Sequence, residues 1–178
     1  FQDARLGVPN RNAFSNFLQA FLAEPSVKGV VYFVGIKDLE SYSVTLGPMM
    51  VDDALKQIYE RLNIMVQGEG YVAYDGAGNF ILYHLDEHFS SSHLESVFTH
   101  AISSLGRLDI RFSPIIVRVS PSQVEPTPDA VWRACYATLQ HAKQHMLYEV
   151  TNYSLMIKKE GERQLIIRDA LPAALEQR

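Results

Sequence analysis

Gly29-Val30-Val31-Tyr32-Phe33-Val34-Gly35-Ile36 contains no charged or amide side chain. A strand with one wet face alternates in polarity, so an unbroken run of this kind predicts a strand covered on both faces. That requirement sets the architecture: helices must lie above and below a sheet that holds this strand near its middle. Phe14, Phe17, Leu18, Phe21 and Leu22 recur at helical spacing and predict a helix capped by Asn10 or Asn12 and running to about Ala23. A short irregular or helical segment follows from Lys37 to Leu46, and Gly47-Pro48 breaks it. Val51, Leu55, Ile58, Leu62 and Met65 form the buried stripe of a helix from about Met49 to Val66.

Tyr71 to His84 reads as a hairpin. Val72, Phe80 and Leu82 are its β-prone positions, and Asp75-Gly76 and Gly78-Asn79 tolerate the positive φ of a tight turn. A third helix starts at Ser90 to Ser92, with Leu94, Val97, Phe98, Ala101, Ile102 and Leu105 as its apolar face. Phe112 to Ser120 reads as a strand. Thr127 or Asp129 starts a fourth helix that reaches about His145, with Val131, Cys135, Leu139 and Ala142 inward. Val150 to Lys158 reads as the last strand, and Glu160-Gly161 as a turn. Helices alternating with strands predict a three-layer α/β (α+β) domain around one mixed five-stranded sheet.

Composition narrows the function classes. The net charge of −4 argues against a general nucleic-acid binder, so no DNA partner is expected. The single cysteine, Cys135, excludes an internal disulfide, suits a reducing compartment, and falls on the apolar face of its helix as a buried small hydrophobe. No stretch reaches the roughly 18 apolar residues of a membrane span, and no signal peptide is evident. The chain opens on Phe1 rather than methionine. The expectation is a cytoplasmic fragment of a longer protein, with a membrane-anchored parent left open.

Short motifs then carry a resemblance. Asp3-x-x-x-Gly7-x-Pro9-Asn10-Arg11, Gly47-x-x-x-x-Asp52-x-x-Leu55, the turn Gly76-Ala77-Gly78-Asn79-Phe80 and Ala142-Lys143 follow in order. This succession resembles the GGDEF domain of diguanylate cyclases, over almost the whole chain. The resemblance implies a nucleotidyl-cyclase-like fold over residues 1–160. In that family two GTP molecules are joined with the help of divalent metal held by carboxylates. The resemblance places those ligands at the end of the first strand and at the third turn position, which here are Gly35 and Gly78. Lys37 replaces a second strand-end Asp, Asn79 the turn's glutamate, and Ala77 its second glycine. Of the nucleotide pocket, Asp52 and Lys143 match the family as GTP remnants, while Ser43 and Leu147 do not. Gln67-Gly68-Glu69-Gly70 stands where the inhibitory product site would begin with R-x-x-D.

Several residues have a plainer reading beside the functional one. Asp52 can be an exposed acid in the first turn of its helix, and Lys143 a solvated helix residue. Asp52 and Asp53 are adjacent on a helix and therefore diverge. His141 and His145 lie at i, i+4 and could share a zinc ion, but the sequence offers no third ligand nearby, so a surface pair is the reading. His84 and His88 share that spacing across a strand end. Tyr74, where the family has Arg, reads as a sheet-packing aromatic.

Ile167-Arg168-Asp169-Ala170-Leu171 is similar to the linker that joins a GGDEF domain to an EAL phosphodiesterase domain. Residues 161–178 are accordingly expected to be a linker helix leading to an EAL domain outside this chain. The combined expectation is a degenerate GGDEF domain with no catalytic residues, no metal and no cofactor. It would regulate or dimerise the adjoining EAL domain in cyclic di-GMP signalling. A GTP-binding sensor that activates the EAL phosphodiesterase is the alternative, with GTP held weakly. An active cyclase using other ligands is the second alternative. A further protein or RNA partner is left unidentified.

Overall fold

The computed structural model describes residues 1–165 apart from 25, 27, 107, 148, 155 and 164. The linker motif Ile167-Arg168-Asp169-Ala170-Leu171 lies outside the described residues. Helix α1 (Arg11–Leu22) opens on Asn10, whose Oδ1 accepts the Ala13 N–H at 3.0 Å. Strand β1 (Val30–Ile36) is buried at every position, as its apolar run requires. Helices α2 (Leu39–Leu46) and α3 (Pro48–Met65) follow, parted at Gly47. Strands β2 (Gly70–Tyr74) and β3 (Asn79–His84) form the hairpin. Next come α4 (Ser92–Thr99), β4 (Ala101–Ser103), β5 (Leu108–Ile110), β6 (Pro114–Val119), α5 (Pro128–Gln144) and β7 (Thr151–Asn152).

Five strands form the sheet in the order β2-β3-β1-β6-β7. Neighbours run antiparallel except β6 and β7, so the sheet is mixed. The alternation of β1 divides the core. Val30, Tyr32, Val34 and Ile36 face α3 and α4 across Leu55, Ile58, Leu62, Val97 and Phe98. Val31 and Phe33 face α1 and α5 across Phe14, Leu18, Trp132, Cys135 and Leu139. Three layers result, with β1 third of the five strands.

Two stretches depart from the sequence reading. The helical apolar pattern runs on through Leu105, yet α4 ends at Thr99 and Ala101 to Ser103 pair with Leu108 to Ile110 as a small hairpin. Ala101 stays buried, but Ile102 is 58% and Leu105 62% exposed, so they are not core residues. Side chains of α3 stabilise this switch. Arg61 donates to the carbonyls of Val97 and His100, and the Asp53 carboxylate accepts from the hydroxyls and one main-chain N–H of Ser103 and Ser104. Helix periodicity is a local signal, and these partners lie about 40 to 50 residues upstream. At the other end, the expected strand Val150 to Lys158 keeps only Thr151–Asn152. Residues 156–163 are helical, so Glu160-Gly161 is not a turn. Ser154 starts that helical stretch by accepting from the Ile157 and Lys158 N–H groups.

Candidate functional site

The β2–β3 turn is built around Asp75. Its Oδ1 accepts the N–H groups of Ala77 and Asn79 at 2.8 and 3.0 Å. Its Oδ2 accepts the Asn79 carboxamide at 2.7 Å and the Tyr136 hydroxyl at 2.8 Å. The Gly78 N–H donates to the Tyr74 hydroxyl at 2.9 Å. Tyr74 therefore does more than pack the sheet: its ring is buried and its polar end holds the turn from below. A glutamate in place of Asn79 would set a second carboxylate against Asp75 where a donor is needed.

Tyr136 carries the latch to the helices. Burial, and then its bond to Asp75, push its phenol well above the usual range, so it remains a donor at physiological pH. The Arg11 guanidinium lies 5.2 Å from the Trp132 ring and 5.6 Å from the Tyr136 ring. Trp132 in turn donates to Ser15 at 2.9 Å. The turn is thus fastened to α5, and α5 to α1. Asp3 closes the N-terminal loop by accepting from the Arg5 and Leu6 N–H groups, and the Pro9 carbonyl accepts the Tyr74 N–H. A polar cleft of about 280 Å³ lies between this loop, the start of α1 and Asp75.

Gly35 and Gly78, the two positions at which the resemblance puts metal ligands, meet packed neighbours. Gly35 pairs with Asn79 across β1 and β3. A Cβ on Gly35 would lie 3.0 Å from Asn79 Oδ1 and 3.2 Å from Leu139 Cδ1. Gly78 has φ +88°, a conformation that L side chains rarely adopt, and a Cβ there would lie 2.9 Å from Leu39 Cδ2. A divalent metal of this class needs anionic oxygens, and neither position supplies one. The residues present do not fit the family's metal site. Asp38 lies nearby in sequence, exposed at the N-cap of α2 with φ 54°.

The other positions that the resemblance assigns to a nucleotide pocket do not converge on one another. Asp52 pairs with Arg5 of the N-terminal loop at 3.3 Å. Asp53 turns to Ser103 and Ser104, so the adjacent acids diverge as helical geometry demands. Lys37 and Lys143 are exposed. The Leu147 N–H closes the end of α5 on the Ala142 carbonyl. Cys135 is fully buried, and burial drives its thiol far above its ordinary value. His84 stacks on Phe89 and faces Glu69, whereas His88 faces Glu87, so that pair does not converge. His141 and His145 do converge, and Glu160 joins them: Nδ1 of His141 lies 2.8 Å and Nε2 of His145 3.5 Å from its two carboxylate oxygens.

No helix among the described residues is long and apolar enough to cross a membrane. The mixed five-stranded sheet flanked by helices matches the fold of GGDEF domains, seen in solved structures similar to this chain. The isolated GGDEF domain of YfiN (TpbB) from Pseudomonas aeruginosa superposes with a TM-score of 0.73 at 17% identity, covering 91% of this chain and 99% of that one. A diguanylate cyclase/phosphodiesterase from Caldicellulosiruptor saccharolyticus gives 0.73 at 21% identity, with 85% and 93% covered. An EAL/GGDEF domain protein from M. capsulatus gives 0.60 at 24% identity, with 82% and 99% covered. In sequence, the oxygen sensor protein DosP of Escherichia coli is 28% identical over 89 residues, which is 50% of this chain and 11% of that protein. No family model matches the chain.

Proposed function

We propose that this domain is a catalytically silent GGDEF-type module of cyclic di-GMP signalling that regulates or dimerises an adjoining EAL domain. The observation that carries this reading is the occupation of the two ligand positions. Leu139 and Asn79 crowd Gly35, Leu39 crowds Gly78, and the turn's polar groups are spent on Asp75. Phosphoryl transfer in this family relies on metal to neutralise phosphate charge, and a turn locked in this form offers nothing to hold it. Asp52 supports a module over a GTP sensor, because its carboxylate already has Arg5 as a partner. The proposed setting is cytoplasmic, with residues 1–160 as the module and 161–178 as the linker.

Two measurements test the reading. The first compares cyclic di-GMP hydrolysis by the continuous protein with that of its EAL portion alone. A module changes the rate or the oligomeric state, and identical behaviour of the two would sink it. The second is calorimetry with GTP. One carboxylate contact is worth roughly 1.5–3 kcal/mol, against several kcal/mol of lost translational and rotational freedom. Saturable binding is therefore not expected below about 0.1 mM. Micromolar binding that Asp52→Ala abolishes would make the domain a sensor.

A further inference from the structure

We infer that His141, His145 and Glu160 form a binding site for a divalent transition metal, with zinc as the fitting ion. The inference does not depend on the signalling reading. His141 and His145 stand one turn apart near the C-terminal end of α5, their rings 4.3 Å apart. The third ligand comes from residues 156–163, which fold into a helical stretch and bring Glu160 onto the pair. One donor atom from each residue lies within 4.8 Å of the other two.

Two imidazoles and one carboxylate are a recognised zinc ligand set, with a fourth position left for water. Donors around a tetrahedral zinc stand about 3.3 Å apart, given bond lengths of roughly 2.0–2.2 Å. The side chains therefore need to draw together by about 1.5 Å at most. None of the three is buried, so small rotations can supply that movement. A hydrogen bond between Nδ1 of His141 and Glu160 now joins the pair, and the metal would take its place. The carbonyl end of α5 favours a cation as well. Magnesium is disfavoured because it prefers an all-oxygen shell.

Binding would tie the helical stretch at 156–163 to α5. Ile157, 7% exposed, already anchors one side of that stretch in the apolar interior. Glu160 is its polar fastening, and the metal would turn a hydrogen bond into a clamp.

The test uses the whole chain, stripped with a chelator and titrated with zinc or cobalt alone. The expected result is saturable binding of one equivalent and a higher melting temperature with zinc than with magnesium. His141→Ala, His145→Ala and Glu160→Gln should each weaken binding at least tenfold, while His88→Ala leaves it unchanged. The visible absorption of cobalt should report nitrogen ligation that His141→Ala removes. Circular dichroism establishes that each variant is folded. Absence of saturable binding by the folded parent chain, or binding that survives all three substitutions, would overturn the site.

Discussion

Two neighbouring regions of this molecule use their polar side chains differently. At the β2–β3 turn, where the resemblance implies metal ligands, glycines stand in their place and Leu39 and Leu139 lean over them. The polar groups that remain there satisfy one another: Asp75 accepts from Ala77, Asn79 and Tyr136. At the end of α5, two imidazoles and a carboxylate converge at the surface, with His141 and His145 both facing Glu160. The contrast is between polar groups fixed within a single turn and polar groups brought together from two helical stretches. Close packing leaves no room for a side chain at Gly35 or Gly78 unless Leu39, Leu139 or Asn79 shifts.

The largest effect expected from breaking this contrast comes from putting a carboxylate back into the turn. Gly78→Asp meets both a positive φ and the Leu39 side chain. It should cost about 2–3 kcal/mol of stability, measured by denaturant unfolding. A neutral result would mean that the turn is softer than its hydrogen bonds imply. The triple change Ala77→Gly, Gly78→Asp and Asn79→Glu should restore no cyclase activity, because Gly35 and Leu147 are still unrepaired. Clear turnover from it would show that the other ligand positions have been misplaced.

A smaller loss is expected from the latch itself. Tyr136→Phe removes one donor from Asp75 while keeping the ring under Arg11. Hydrogen bonds to charged groups contribute about 1.5–3 kcal/mol, and the partial exposure of this one places the loss near 1–2 kcal/mol. Tyr74→Phe tests the second support, the hydroxyl beneath Gly78. If either variant matches the parent chain in denaturation, the turn is held by packing alone.

The smallest effect is the pH dependence of the fastening that stabilises the β4–β5 hairpin. Burial raises the Asp53 carboxyl, but hydrogen bonds from Ser104, then Ser103 and Leu105, outweigh it and hold it below its ordinary 3.8. A depressed carboxylate stabilises the fold above its unfolded pKa, and the contribution fades as pH falls through the folded value. Asp53→Asn should therefore cost stability at pH 7, less than about 1 kcal/mol given the exposure of the pair. The difference between variant and parent should vanish in strong acid. A difference that persists once the carboxyl is fully protonated in strong acid would assign it to shape rather than charge.

Much of the fold was legible because its signals are local. The apolar run of β1, the stripe of α3 and the cap at Asn10 each report on a few neighbouring residues. The β4–β5 hairpin was not legible, since Arg61 and Asp53 decide it from far upstream. At the site, the hairpin and its tight Gly-rich turn were readable from β-prone and turn residues. Asp75 was not singled out as the organiser, although an Asp followed two and four residues later by N–H groups in a Gly-rich turn is a known signal. Tyr136, Leu39 and Leu139 carried no sequence mark, because nothing in the chain says which side chain will fill a space. Glu160 was hidden for a similar reason: its stretch read as a turn, and only the helix at 156–163 brings it to His141 and His145.

The central claim, that refilled ligand positions silence the chemistry, is tested most directly by incubating the chain with GTP and Mg²⁺ or Mn²⁺ and assaying cyclic di-GMP by chromatography. The account predicts no product above a protein-free blank. Product that appears with the parent chain and disappears with Asp75→Ala or Asp52→Ala would contradict it.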